Sequence, residues 1–361
     1  MTAVSDREQR VLGIIETARG KRARFRDERI TMAHGAGGRA TQTLVEGLLV
    51  PALANDALAQ LGDAGTVHVG DLRLALTTDS YVVRPLRFPG GSIGELAVNG
   101  TANDLAVSGA RPLALSLSLI LEEGLDAQTL RDEVDAIAAA AVRAEVSVVT
   151  GDTKVVERGH ADGMYICTSG VGLVDPRASL SPAALQAGDR ILLSGPIGEH
   201  GTAIMLARDQ FDLEAEVQSD TRPLWPAADA LMRAAGERLR CMRDATRGGV
   251  ASVLNELARA SAVGIVVSER DVPVAPAVLG AAELLGIDPM YIANEGRLVA
   301  FVAPEAAACA LQALRLVPGC EQAADVGEVR AEPPGMVLIK TSFGGRRVLD
   351  QLVGDPLPRI C

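Results

Sequence analysis

Ser92-Ile-Gly-Glu-Leu-Ala-Val-Asn-Gly-Thr-Ala-Asn-Asp-Leu-Ala106 decides how the rest of the chain is read. A serine ahead of an apolar run, with Glu95 three residues on, has the form of a capping box, so a helix is expected to start at Ile93. That helix carries Asn99 and, one turn later, Asn103-Asp104. Before it lies an expected strand, 72–77, running into Thr77-Thr-Asp79-Ser80; after it comes another, 113–121. The next helix, capped by Asp126, has Leu130, Val134, Ile137 and Ala141 at helical spacing. It leads into a β-branched strand, 146–150, that is expected to end at Gly151-Asp152-Thr153-Lys154. A strand over 164–173 closes the first half.

A turn-rich break over 175–189, with Pro176, Pro182 and Gly188, marks the expected domain boundary. The second half repeats the mixed pattern, with strands over 190–194, 264–268, 298–302 and 335–340 and helices near 199–208, 226–235 and 248–262. The expected class is therefore α/β (α+β). Its parts are an extension 1–29, domains 30–175 and 189–341, and a tail 342–361. The extension ends in the mostly basic run 21–29, read as a solvated helix or loose arm. The final stretch, Gly354-Asp-Pro-Leu-Pro-Arg-Ile-Cys361, is expected to be extended and mobile, because Pro356 and Pro358 exclude a helix.

Composition narrows the function. The 361 residues are 48% hydrophobic, enough for two cores. Forty-six acidic against 35 basic side chains give a net charge of -11, and one Trp, three Tyr and five Phe leave little for base stacking. Nucleic acid and anionic membrane are excluded as partners on that basis. Five cysteines without close pairs fit a reducing compartment. No apolar leader is visible, and the longest apolar stretch, 298–317, is broken by Pro304, Glu305, Gln312 and Arg315. A cytoplasmic chain is expected.

Several motif matches carry little weight. Gly35-Ala-Gly37-Gly38-Arg39-Ala40 satisfies the dinucleotide fingerprint formally, but the short run 30–33 before it is no buried central strand. Gly90-Gly-Ser92-Ile-Gly94 has the form of a nucleophile elbow, yet Ser92 is better explained as a helix cap. His34, His68, His160 and His200 show no zinc spacing, and no lysine sits in a P-loop. Asp79, Asp104 and Asp152, each beside small residues, suit a hard cation bridging to a triphosphate, although any one of them alone reads as a turn or cap residue. Asp244-Ala-Thr-Arg247-Gly-Gly249 precedes a helix, a setting for anion binding or simply for a capped turn. Glu295, in Asn294-Glu-Gly296, is a candidate base.

Taken in order, Ala33-His-Gly-Ala-Gly-Gly38, Thr77-Thr-Asp-Ser80, Asn103-Asp-Leu-Ala106, Thr150-Gly-Asp-Thr-Lys154, Gly195-Pro-Ile-Gly-Glu-His-Gly201, Asp244-Ala-Thr-Arg-Gly-Gly249, Asn294-Glu-Gly296 and Pro358-Arg-Ile-Cys361 resemble the HypE family of hydrogenase maturation factors. That family belongs to the PurM-like superfamily of AIR synthetase, selenophosphate synthetase and thiamine monophosphate kinase. The carboxylate and Asn-Asp motifs are superfamily-wide; the terminal Pro-Arg-Ile-Cys selects HypE. The resemblance begins near Ile30 and says nothing of residues 1–29.

The resemblance implies a PurM-like two-domain fold whose N-terminal domain forms a β-barrel across a homodimer. It implies a carbamoyl dehydratase: Cys361 receives a carbamoyl group from the carbamoyltransferase HypF, and ATP drives its dehydration to S-cyanate. The product supplies the cyanide ligand of [NiFe] hydrogenase iron through a HypC–HypD complex. Mg2+ is expected on Asp79, Asp104 and Asp152, with ATP contacted by these and by Gly35, Gly37, Gly38, Asn103, Thr153, Arg247 and Gly248. Lys154 is expected near the reacting carboxamide and Glu295 as general base. Two other readings stay open: a sibling synthetase or kinase acting on a free small molecule, and a non-catalytic nucleotide-binding scaffold.

Overall fold

The computed structural model describes residues 24–208, 216–352, 354 and 359–361. Period-two burial builds a first sheet from β1 (Gly65–Val69), β2 (Leu72–Tyr81), β3 (Ala110–Glu122), β4 (Ser147–Val156) and β5 (Met164–Val174). Every second residue of β5 from Met164 to Val174 is buried, and its alternates face out. The strand order is β1-β2-β5-β3-β4. All pairs are antiparallel except β3 with β4, and that parallel pair uses α3 (Ala127–Arg143), capped by Asp126, as its crossover.

Helix α2 (Ile93–Val107) lies across β2, β5 and β3, with every residue buried except Glu95 and Asp104. Ser92 caps it by accepting from Glu95 N–H, but the expected capping box does not close. The Glu95 carboxylate turns instead to Arg143 on α3, 2.5 Å away. Helix α1 (Arg39–Leu44) widens into π-helical turns over Val45–Leu49. The run before Gly35, read as a short strand, forms a 3-10 turn, Met32–Gly35.

The second sheet has seven strands: β6 (Arg190–Leu193), β7 (Leu239–Asp244), β8 (Gly264–Ser268), β9 (Leu298–Val302), β10 (Ala324–Arg330), β11 (Val337–Lys340) and β12 (Arg346–Val348), in the order β12-β11-β8-β10-β6-β9-β7. Helices α4 (Glu199–Leu206), α5 (Trp225–Ala235), α6 (Gly249–Ala260), α7 (Pro276–Leu285) and α8 (Pro304–Arg315) complete this half. One apolar cluster joins the halves, since Ala75 and Leu105 pack with Leu192, Leu231, Met242 and Leu298. The stretch 175–189 between the sheets carries no helix or strand.

Two expectations at the chain ends change. The last residues are docked on the core: Ile360 and Cys361 are buried in a cluster with Tyr81, Phe88 and Ile204. Pro356 and Pro358 lie outside the described residues, as do residues 1–23, including the first three of the basic run. From residue 24 the chain has no helix before Met32, and Phe25 packs edge-on against His34. Among the described residues, no helix is long and apolar enough to cross a membrane.

Candidate active site

Three carboxylates from separate elements converge where the halves meet. Asp63 precedes β1, Asp104 is the one partly exposed residue in the second half of α2, and Asp244 ends β7. Each offers an oxygen, and these oxygens all lie within 4.8 Å of one another. Burial pushes the Asp104 and Asp244 carboxyls well above the usual range, and the neighbouring aspartates, including Asp79 on β2, push them further. Burial also raises Asp63, opposed by the Arg243 guanidinium, which pairs with it and donates to Leu61 O (2.7 Å). Thr77 on β2 donates to Asp104 Oδ2 at 2.6 Å. Crowded oxygen donors that cannot all be charged without a compensating cation are the donor set that suits Mg2+.

Of the three aspartates expected from the sequence, Asp104 belongs to this cluster, Asp79 lies near enough to raise its carboxyl, and Asp152 does neither. Because β4 extends to Val156, Asp152 sits inside a strand and not at its end. The register runs Ser80–Cys167–Ser118–Asp152 across β2, β5, β3 and β4, three strand spacings or about 14 Å. Asp79 belongs to the adjacent row, whose side chains point to the opposite face. Asp152 is exposed and takes a 2.5 Å hydrogen bond from Lys154 Nζ, which holds its carboxyl below the usual range. Thr153, between them, is exposed too. Within one chain, none of the three reaches the carboxylate cluster.

The glycine loop 35–38 docks on the turn before α6. Arg247 donates to Gly35 O (2.9 Å) and Ser252 Oγ to Gly37 O (3.1 Å). Gly37 has φ +72, and a Cβ there would stand 2.8 Å from Arg247 O; Gly248 has φ +77, and its Cβ would meet Ser252 Oγ at 2.1 Å. Only glycine permits this approach. Gly38 lies at the head of α1, whose Gln42 N–H donates to its carbonyl. Beside the loop is a cavity of about 280 Å3 lined by Thr31, Gly35, Arg247, Gly248, Ile360 and Cys361. The charge at Cys361 is the strongest influence on the Arg247 guanidinium and raises its pKa.

Asn103 and Glu295 meet across the domain junction. The Asn103 amide donates to Arg222 O (3.0 Å) and Glu295 O (3.1 Å), and its oxygen accepts from Leu224 N–H (2.7 Å). Its side chain is thus committed to backbone and joins the two halves. Glu295 is buried, and burial followed by the charges of Asp244 and Asp220 lifts its carboxyl well above the usual range. Asp220 shapes this loop by accepting from Glu295 N–H (3.0 Å) and Gly296 N–H (3.2 Å). Neither Asp63 nor Asp220 stands out in the sequence: each lies in an irregular segment, Gly-Asp-Ala and Ser-Asp-Thr, where an aspartate reads as a turn residue.

Residues 61–174 match the family of AIR synthase related proteins, N-terminal domain, and residues 186–340 its C-terminal domain. The carbamoyl dehydratase HypE of Bradyrhizobium diazoefficiens is 48% identical over 332 residues, 92% of this chain and 96% of its own length. The chain belongs to the HypE family. Solved HypE structures share its fold. One in a HypE–HypF complex has a TM-score of 0.81 at 40% identity, covering 86% of this chain and 99% of that one. Another, HypE in complex with ATP, has a TM-score of 0.77 at 42% identity, covering 92% and 100%. The two-domain PurM-like α/β architecture of the HypE family therefore accounts for both sheets described above.

Proposed function

We propose that this protein is an ATP-dependent carbamoyl dehydratase that carries its substrate on its own Cys361 thiol. The observation that carries the reading is the burial of Cys361 in the cavity it shares with Arg247, Gly248 and the glycine loop. A thiol acting only as a surface residue has no reason to lie beside an anion-binding turn.

The overall change converts S–C(=O)NH2, with ATP, to S–C≡N, ADP and phosphate. The carboxamide C–O bond breaks, the oxygen departs within phosphate, and the nitrogen gives up two protons. ATP, when bound, supplies the phosphoryl group that makes this oxygen a leaving group. Asp63, Asp104 and Asp244, with Asp79 beside them, would hold Mg2+, which neutralises triphosphate charge. Arg247 orients anionic oxygen next to Cys361, and backbone N–H groups around Gly35 and Gly38 cradle phosphate, while Gly37, whose N–H donates to Thr41 Oγ1 (3.1 Å), lets the loop approach closely. Glu295, whose carboxyl burial holds well above the usual carboxylate range and so makes a stronger base, takes a proton from the carboxamide nitrogen.

Asp152, Thr153 and Lys154 can serve this site only if a second copy brings its β4 edge against it. The exposed edge strand, with Val149 and Val155 uncovered, supports a homodimer that pairs across this edge. HypF as the carbamoyl donor, and a HypC–HypD acceptor for the cyanide in the cytoplasm, complete the reading. A chain lacking Cys361, incubated with HypF, carbamoyl phosphate and ATP, should form no thiocyanate. Thiocyanate formed without that thiol would assign the protein to a soluble substrate instead.

A further inference from the structure

Arg359, Ile360 and Cys361 make contacts that the dehydration chemistry does not require. Val82 N–H donates to Cys361 O (3.1 Å) and Arg84 N–H to Arg359 O (3.3 Å), so the chain end lies antiparallel to the segment that follows β2. Arg208 adds a 2.6 Å hydrogen bond to Arg359 O. Ile360 is 4% exposed among Tyr81, Phe88 and Ile204. The Arg359 guanidinium donates from Nε to Val82 O (3.1 Å) and pairs with Asp162, which also binds Arg84 (3.2 Å).

His200, on α4, is fully buried with its ring edge-on to Phe88, and its Nε2 lies 2.6 Å from Ile360 O. A carbonyl can only accept, so Nε2 carries the proton. Nδ1 therefore accepts from Ser219 Oγ at 2.8 Å. Withdrawal of the tail would leave the Nε2–H without its partner inside the core, which favours the seated state.

We propose that His200, Arg208 and Asp162 form a peptide-reading site for an extended Arg-Ile-Cys segment, and that this site fixes where the Cys361 thiol stands. Each part of the segment has its own reader. His200 and Arg208 take the main chain, Asp162 takes the Arg359 side chain, and the apolar cluster takes Ile360. His200 is thus a positioning residue for the acceptor thiol. The inference deepens the functional reading above and rests on it for its purpose, but the recognition itself needs neither ATP nor turnover.

The test is the alkylation rate of Cys361 in the full-length protein without ATP, followed by mass mapping of the C-terminal peptide, with exposed Cys309 as internal control. Asp162→Ala and His200→Ala should each raise the Cys361 rate roughly tenfold and leave Cys309 unchanged. The charge swap Asp162→Arg with Arg359→Asp should restore the slow rate. Added peptide Leu-Pro-Arg-Ile-Ser should speed Cys361 alkylation by taking the tail's place, while Leu-Pro-Ile-Arg-Ser should not. Asp162 is partly exposed, so its variant keeps the test valid if His200→Ala fails to fold. Unchanged protection in Asp162→Ala, or equal action by the two peptides, overturns the proposal. Because no turnover is read, that result would leave the dehydration reading standing.

Discussion

The Asn103 side chain donates to the Glu295 carbonyl at 3.1 Å, bonding the helix that carries one aspartate of the cluster to the loop that carries the candidate base. Asp63, Asp79 and Asp104 come from the first half of the chain, and Asp244, Arg247 and Glu295 from the second. Their relative position depends on a few such buried bonds, and Asn103 makes three of them.

Asn103→Ala leaves the Leu224 N–H and the Arg222 and Glu295 carbonyls without this partner in a buried junction. Urea unfolding should show a loss of about 2–4 kcal/mol, and ATP affinity should fall with it. A stability unchanged within error would mean that the junction is held elsewhere.

Asp104→Asn separates metal binding from folding. The Asp104 carboxyl is raised in the folded state, so its ionised form costs stability at every pH above the ordinary value of 3.8, and an amide of the same shape removes that cost. The amide oxygen can still accept from Thr77. The metal-free variant should be more stable than the parent, and should lose most of the thermal stabilisation expected from Mg2+ with ATP. Equal stabilisation of both proteins by Mg2+ and ATP would remove Asp104 from the metal site.

Much of this fold was legible in the sequence because β5 alternates cleanly and Ser92 and Asp126 cap α2 and α3, while several strands of the second sheet are plain apolar runs. The edges of 264–268 and 298–302 match the structure residue for residue, since both are continuous apolar runs that need burial on both faces. Strands β7 and β10 escaped notice because Arg243, Asp244, Asp325 and Glu328 break their apolar pattern. Only the fold supplies the partners that make those charges tolerable, Asp63 for Arg243 and Arg190 for Asp325. The same limit applies to the site. Asp104, Arg247 and Glu295 lie in short motifs with glycine or asparagine neighbours and Asp79 in a run of small hydroxyl residues, whereas Asp63 and Asp220 become visible only when distant segments meet. Asp152 stood out for its motif, but strand alternation turns it to the other face.

Glu295→Gln tests the proton-transfer step. With its carboxyl raised well above 4.5, the base is lost as pH falls through a value above the normal carboxylate range. The rate of thiocyanate formation under saturating ATP should therefore decline on its acid side earlier than an ordinary glutamate would allow. The variant should lose activity on the order of 10²- to 10⁴-fold while still binding ATP, and it should be no less stable at neutral pH, because the ionised form is the costly one. An unchanged rate would reassign the base.

The central claim is that Cys361 is the site of reaction. The direct measurement is the mass of the C-terminal peptide after incubation with HypF, carbamoyl phosphate and ATP. The expected result is a carbamoyl adduct on Cys361 that then loses the mass of one water in an ATP-dependent step. An unmodified Cys361, with ATP consumed and product released in solution, would contradict it.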